Sequence, residues 1–121
     1  MFEAGFDKSE NLLHIAYTGR IEAAEVKKCL EQLQSLAPEL GSGFRLLTDL
    51  TALEAMDTAA VPYIRQMMDL CNKKGVAMVV RIIPDPHKDI GLNILSLFHY
   101  RHDLHIVTCV TLEEAMKALA N

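Results

Sequence analysis

Between Gly75 and Pro84 the chain reads VAMVVRII, a stretch in which Arg81 is the single polar side chain. No period-2 alternation divides this run into a wet and a dry side, and it is too short for a helix buried all round. It is nearly all aliphatic and rich in β-branched residues. It therefore reads as a strand covered on both faces, as inner strands of parallel sheets are. Pro84-Asp85-Pro86 breaks it. A second apolar run, Phe44 to Leu50, follows Gly41-Ser42-Gly43 and reads as another buried strand. Strands covered on two sides require layers above and below them, which points to an α/β architecture.

The rest of the chain supplies those layers. Met1 to Phe6 and Leu12 to Thr18 read as two strands joined by the polar turn Asp7 to Asn11, an antiparallel hairpin closed by Gly19. From Ile21 the period changes. Val26, Leu30, Leu33 and Leu36 recur at helical spacing with Cys29 beside them, while Glu22, Glu25, Lys27, Lys28 and Glu31 fill the opposite face. That helix should run to about Ala37 and stop at Pro38 and Gly41. Thr51 to Ala55 reads as a loop. Val61, Ile64, Met68 and Cys71, flanked by Met67, mark a second helix to Lys74, with Gly75 placed to end it at positive φ. Pro62 restricts Val61 and predicts a stiff or irregular first turn. A third helix is expected after Asp85 as N-cap and Pro86, carrying Ile90, Ile94 and Phe98. His105 to Val110 reads as the last strand. Thr111 and Glu114 form a capping box for a final helix with Leu112, Ala115, Met116 and Leu119 as its stripe.

The order β-β-α-β-α-β-α-β-α predicts one α/β domain over residues 1–121. Its sheet should be mostly parallel, with about five strands, an antiparallel N-terminal hairpin at one edge and about four helices. A net charge of −4 without a basic stripe argues against nucleic acid. No apolar run is long enough to cross a bilayer. The N-terminus lacks the basic and apolar regions of a secretory signal. The three cysteines, Cys29, Cys71 and Cys109, are widely spaced without a CxxC, as expected of a reduced cytoplasmic protein that uses them for packing.

Catalytic chemistry finds little support. No P-loop, GxGxxG or GxSxG occurs, and no nucleophile sits visibly beside a base. The expectation is a non-enzyme without a cofactor. His99, His102 and His105 recur every third residue, but His105 should begin a strand and point away from the others. A polar helix end, with no metal, is the expected role. Asp49 ends a strand as a receiver-domain phosphoacceptor would. However, the first strands lack the acidic pair for Mg²⁺, and the last carries Thr108 and Cys109 rather than a lysine.

The stretch FRLLTDLTALEAMDTAAV, from Phe44 to Val61, places a hydroxyl beside a carboxylate where a strand and loop meet a helix N-terminus. Unsatisfied N–H groups and the helix dipole point there. Asp49-Leu50-Thr51 followed by Met56-Asp57-Thr58 resembles the STAS domain family, the anti-sigma factor antagonists. That family carries Asp-Leu-Ser, a spacer, and Met-Asp-Ser-Ser-Gly at a helix start. Thr18-Gly19-Arg20-Ile21 and Leu104 to Leu119 resemble other segments of the family, so the likeness covers nearly the whole chain. It implies a protein-interaction module whose partner is a regulatory protein, such as a kinase that is also an anti-sigma factor. It further implies that Thr58 occupies the phosphoacceptor position. The family's second Ser is Ala59 here, and its Gly is Ala60.

By the same resemblance, Asp49, Thr51, Asp57, Ala59 and Ala60 are partner-binding candidates, and Thr51 is a second, weaker acceptor candidate. The same residues also read without a switch, with Thr58 capping the helix and Thr51 making a loop turn. The domain would then be a scaffold that assembles with its own kind, as in a homodimer, or a small-ligand-binding module.

Overall fold

The computed structural model describes residues 1–83, 100 and 104–120. Its frame is a five-stranded sheet in the order β1-β2-β4-β6-β7. Strand β1 (Phe2–Asp7) pairs antiparallel with β2 (Leu12–Tyr17), while β4 (Arg45–Asp49), β6 (Met78–Ile82) and β7 (His105–Cys109) continue the sheet in parallel. The hairpin thus lies at one edge, as its local pairing demands. The VAMVVRII run contains β6, which is held between β4 and β7.

Its two faces feed two separate cores. Val79 joins Leu13, Ile15, Tyr17 and Leu46 under the helices α1 (Ala23–Leu36) and α2 (Val61–Lys73). Val80 and Ile82 join Leu47 and Cys109 under α3 (Leu112–Ala120), which contributes Ala115 and Leu119. Strand residues alternate between the cores, and each helix turns one stripe inward.

Helix ends follow local chemistry. The N–H of Glu114 donates to Thr111 Oγ1 at 3.2 Å and so caps α3. At the end of α2 the N–H of Gly75 donates to the Asn72 carbonyl (3.1 Å) and that of Val76 to the Cys71 carbonyl (3.0 Å). These are the paired bonds of a Schellman turn. Gly75 sits at φ +85°, and a Cβ there would lie 2.9 Å from Ser42 Oγ. Gly75→Ala should therefore destabilise the protein by about 1–2 kcal/mol, lowering its melting temperature by several degrees in a circular dichroism melt. An unchanged midpoint would mean that the turn relaxes.

Two expectations need correction. Ile21 does not open α1, and residues 53–55 are not loop. Gly19–Ile21 is strand β3 and Leu53–Met56 is strand β5, paired in parallel as a separate two-stranded sheet. Strands of three and four residues are too short to display a period, and Gly19 itself takes φ +75°. The pair is stabilised by burial, since Ile21 and Leu53 are both core residues. Three α-helices lie among the described residues. The helix expected after Asp85, with Ile90, Ile94 and Phe98, falls outside them.

Candidate functional site

The path from β4 to α2 builds the candidate surface. At the end of β4, Leu50 is fully buried, and its N–H donates to the Ile82 carbonyl at 3.0 Å, which anchors the chain as it leaves the sheet. Asp49 Oδ1 then accepts the N–H of Thr51 at 2.9 Å. The turn expected from the Thr51 hydroxyl is thus made by the neighbouring carboxylate. Thr51 is exposed and Asp49 half-buried.

After the turn, β5 runs beside β3 with Arg20 opposite Ala55 and Ile21 opposite Met56. The N–H of Asp57 donates to the Ile21 carbonyl at 2.9 Å, which ties the head of the next turn to the small sheet. Asp57 has extended backbone angles, and its Oδ1 accepts the N–H of Ala59 at 3.0 Å. A short 3₁₀ turn, Thr58–Ala60, follows, and α2 begins at Val61 with Pro62 in its first turn. That 3₁₀ turn is the irregularity expected of Pro62, whose missing N–H is no loss at a helix start.

The cap of this 3₁₀ turn is therefore Asp57, not Thr58. Thr58 is exposed, and its hydroxyl makes no hydrogen bond among the described residues. Its carbonyl is engaged, accepting the N–H of Val61. Ala59 is exposed beside it. Ala60 lies elsewhere than the surface patch expected of it. It has no exposed area, and its methyl packs in the core beneath α1 and α2. The turn lies against α1, and that contact sets Ala60 facing inward.

Asp57, Thr58 and Ala59 thus form one continuous surface segment, while Asp49 and Thr51 belong to the preceding turn. Arg20 is an exposed cation on the strand that pairs with β5, and only that pairing brings it to this region. Its place in Thr18-Gly19-Arg20-Ile21 was the available signal. Exposed acids dominate the rest of the loop, with Glu54 and Asp57 at the surface.

The other chemistry-bearing groups lie apart. Cys29 and Cys71 are sealed in the core, and burial pushes the Cys71 thiol up to about 12. Tyr17 donates its hydroxyl to Cys29 Sγ at 3.6 Å, and burial raises that thiol too. Neither has the exposed, cation-flanked setting of a reactive thiolate. His105 opens β7 and is exposed, whereas His99 and His102 lie outside the described residues. Among the described residues no three His, Cys, Asp or Glu side chains gather as metal ligands.

No protein-family profile matches the chain, and no curated protein does. Solved structures do. A protein of the DUF3478 family with a SpoIIAA-like fold, from Shewanella loihica PV-4, is similar at TM-score 0.72 and 16% identity, over 98% of this chain and 93% of that one. The unphosphorylated anti-sigma factor antagonist SpoIIAA is similar at TM-score 0.69 and 13% identity, over 100% and 99% of the two chains. An anti-sigma factor antagonist from Mycobacterium paratuberculosis gives TM-score 0.63 and 15% identity, over 100% and 96%. The chain therefore has a SpoIIAA-like fold, shared along its whole length at identities that establish architecture alone.

Proposed function

We propose that this protein is a non-enzymatic interaction module, a single domain over residues 1–121 that works in the cytoplasm. It docks a regulatory protein through the surface at Asp57, Thr58 and Ala59, and phosphorylation of Thr58 releases that partner. The partner class is a Ser/Thr kinase that also acts as an anti-sigma factor. The carrying observation is the division of labour at the turn. Asp57 caps the 3₁₀ turn that leads into α2, so Thr58 presents an exposed hydroxyl that the fold does not use.

In the transfer, the Thr58 oxygen attacks the γ-phosphorus of ATP. The new O–P bond replaces the bond to the bridging oxygen, ADP departs, and the hydroxyl proton passes to a base on the kinase. The mark adds about −1.5 to −2 charge. A helix start tolerates it, and no cap is broken in making it. Partner release follows from solvation, since a close interface over Thr58 would have to bury a bulky anion. Fold similarity to anti-sigma factor antagonists supports the reading, as does the match of Met56-Asp57-Thr58 to their signature.

The test is intact mass spectrometry after incubation of the protein with ATP and a lysate of its host. Wild type should gain one phosphate and Thr58→Ala none. An unmodified wild type, or a phosphate that persists in Thr58→Ala, overturns the reading.

A further inference from the structure

Strand β1 forms one edge of the main sheet, and among the described residues no strand lies beyond it. Its outward-facing groups follow from the register. Met1 and Thr18 exchange both backbone bonds, the Met1 amine donating to the Thr18 carbonyl at 3.0 Å and the Thr18 N–H to the Met1 carbonyl at 2.7 Å. In an antiparallel pair, bonded and non-bonded positions alternate. Glu3, Gly5 and Asp7 therefore turn their backbone groups toward β2, while Phe2, Ala4 and Phe6 turn theirs outward. Gln32 of α1 agrees with this phase, since its side-chain amide reaches the Ala4 carbonyl from outside the ladder at 2.7 Å.

An open edge is a template for another strand, and proteins blunt such edges with charges, proline or a bulge. The segment FEAGFD holds no proline, and its register with β2 is unbroken. A groove of about 460 Å³ runs along it, lined by Phe2 to Gly5 together with Gln32 and His14. Two acids remain. Asp7 is engaged in its own turn, its Oδ1 accepting the Ser9 hydroxyl at 2.7 Å and the Ser9 N–H at 2.9 Å. Glu3 is exposed, so any strand laid on this edge must accommodate its carboxylate.

We propose that β1 docks β1 of a second copy of this chain, antiparallel about a twofold axis at Ala4, so that two sheets become one. Ala4 then opposes Ala4 of the second copy, Phe2 opposes Phe6, and Glu3 opposes Gly5. Outward groups meet outward groups in this register, and the ladder closes. The two Phe pairs are favourable cross-strand contacts. Glu3 is matched as well. Gly5 pairs with His14 within the chain, and a Cβ at Gly5 would lie 2.9 Å from His14 Nε2, so the imidazole occupies the space over Gly5. The incoming Glu3 carboxylate thus arrives beside an imidazole, and the twofold axis repeats the pair. An interface of this kind is isologous, the same patch serving both copies. Gln32 competes with it, because its amide must leave the Ala4 carbonyl before the second copy can bond there. The interface does not depend on whether Thr58 is phosphorylated.

Sedimentation velocity of the full chain from about 5 µM to about 1 mM should show a reversible monomer–dimer equilibrium with a dissociation constant of about 10–500 µM, as a small interface allows. Gln32→Ala should tighten the dimer by about threefold, the worth of one competing hydrogen bond. Glu3→Lys should weaken it by about tenfold through the two Glu–His contacts. Ala4→Pro should abolish it, because it deletes an outward N–H and no bond to β2. Ala4→Cys reads the register, since residues opposed as a bonded pair stand about 5.5 Å apart, within the span of a disulfide. Cys29, Cys71 and Cys109 are all buried. Mild oxidation should therefore cross-link Ala4→Cys into a dimer and leave the exposed control Lys8→Cys monomeric. If Ala4→Pro fails to fold, Glu3→Lys and the cross-link still decide. A chain that stays monomeric throughout, a Glu3→Lys dimer tighter than wild type, a dimer that persists in folded Ala4→Pro, or equal cross-linking of the two cysteine variants would overturn the proposal.

Discussion

Phe44→Ala should remove about 3–5 kcal/mol of folding stability, the largest loss expected from any single truncation described for this fold. Phe44 has no exposed area and joins the core beneath α1 and α2. Its backbone is already committed. The N–H donates to the Gly41 carbonyl at 3.2 Å, and the carbonyl accepts the N–H of Ala77 at 2.8 Å. Those bonds survive the substitution, so the aromatic ring is what is lost, and the rigid β4–β6 junction around it cannot collapse to fill the space. Against a total of about 5–15 kcal/mol, such a loss leaves a marginal domain. Urea unfolding should show the midpoint falling by roughly 2 M with little change in slope. A loss under about 1 kcal/mol would mean that the ring is not packed as described.

The second large effect separates folding from function. Thr58→Glu should melt within about 2 °C of wild type, because exposed substitutions away from caps change stability by about 0.5 kcal/mol or less. Asp57 still caps the turn, and its bond to the Ala59 N–H does not involve Thr58. The same variant should bind the regulatory partner at least about 100-fold more weakly, since burying an uncompensated carboxylate in an interface costs several kcal/mol and each 1.4 kcal/mol is tenfold. Thr58→Ser should bind as wild type does. The measurement is a dissociation constant for the partner recovered with the wild-type protein, taken beside a melting curve for each variant. A Thr58→Glu protein that folds normally and binds normally would place the interface elsewhere.

Much of this architecture is legible in the residues, because long elements announce themselves. VAMVVRII reads as an inner strand, and the sheet pairs its Met78–Ile82 part on both edges. The stripes Val26-Leu30-Leu33 and Ile64-Met68-Cys71 are buried as their spacing requires. Short elements were not legible. Nothing in Gly19-Arg20-Ile21 distinguishes a strand from a turn until Leu53–Met56 lies beside it. The site divides along the same line. That a hydroxyl and a carboxylate meet a helix start follows from Asp57-Thr58 and the periodic run after them. Which of the two caps the turn into the helix does not, since both residue types are competent caps.

The sequence by itself determined the layers, the sheet's edge hairpin and the position of the Asp-Thr pair at a helix mouth, because periodicity, breakers and caps act over a few residues. Only the tertiary structure decided the rest. The bond from Asp57 N–H to the Ile21 carbonyl holds Asp57 extended and makes it the cap, leaving Thr58 to solvent. Contact with α1 turned Ala60 inward, and strand register set Arg81 beside Thr48 and Thr108 beneath α2. These outcomes depend on partners distant along the chain, and a contact of that kind has no local signature.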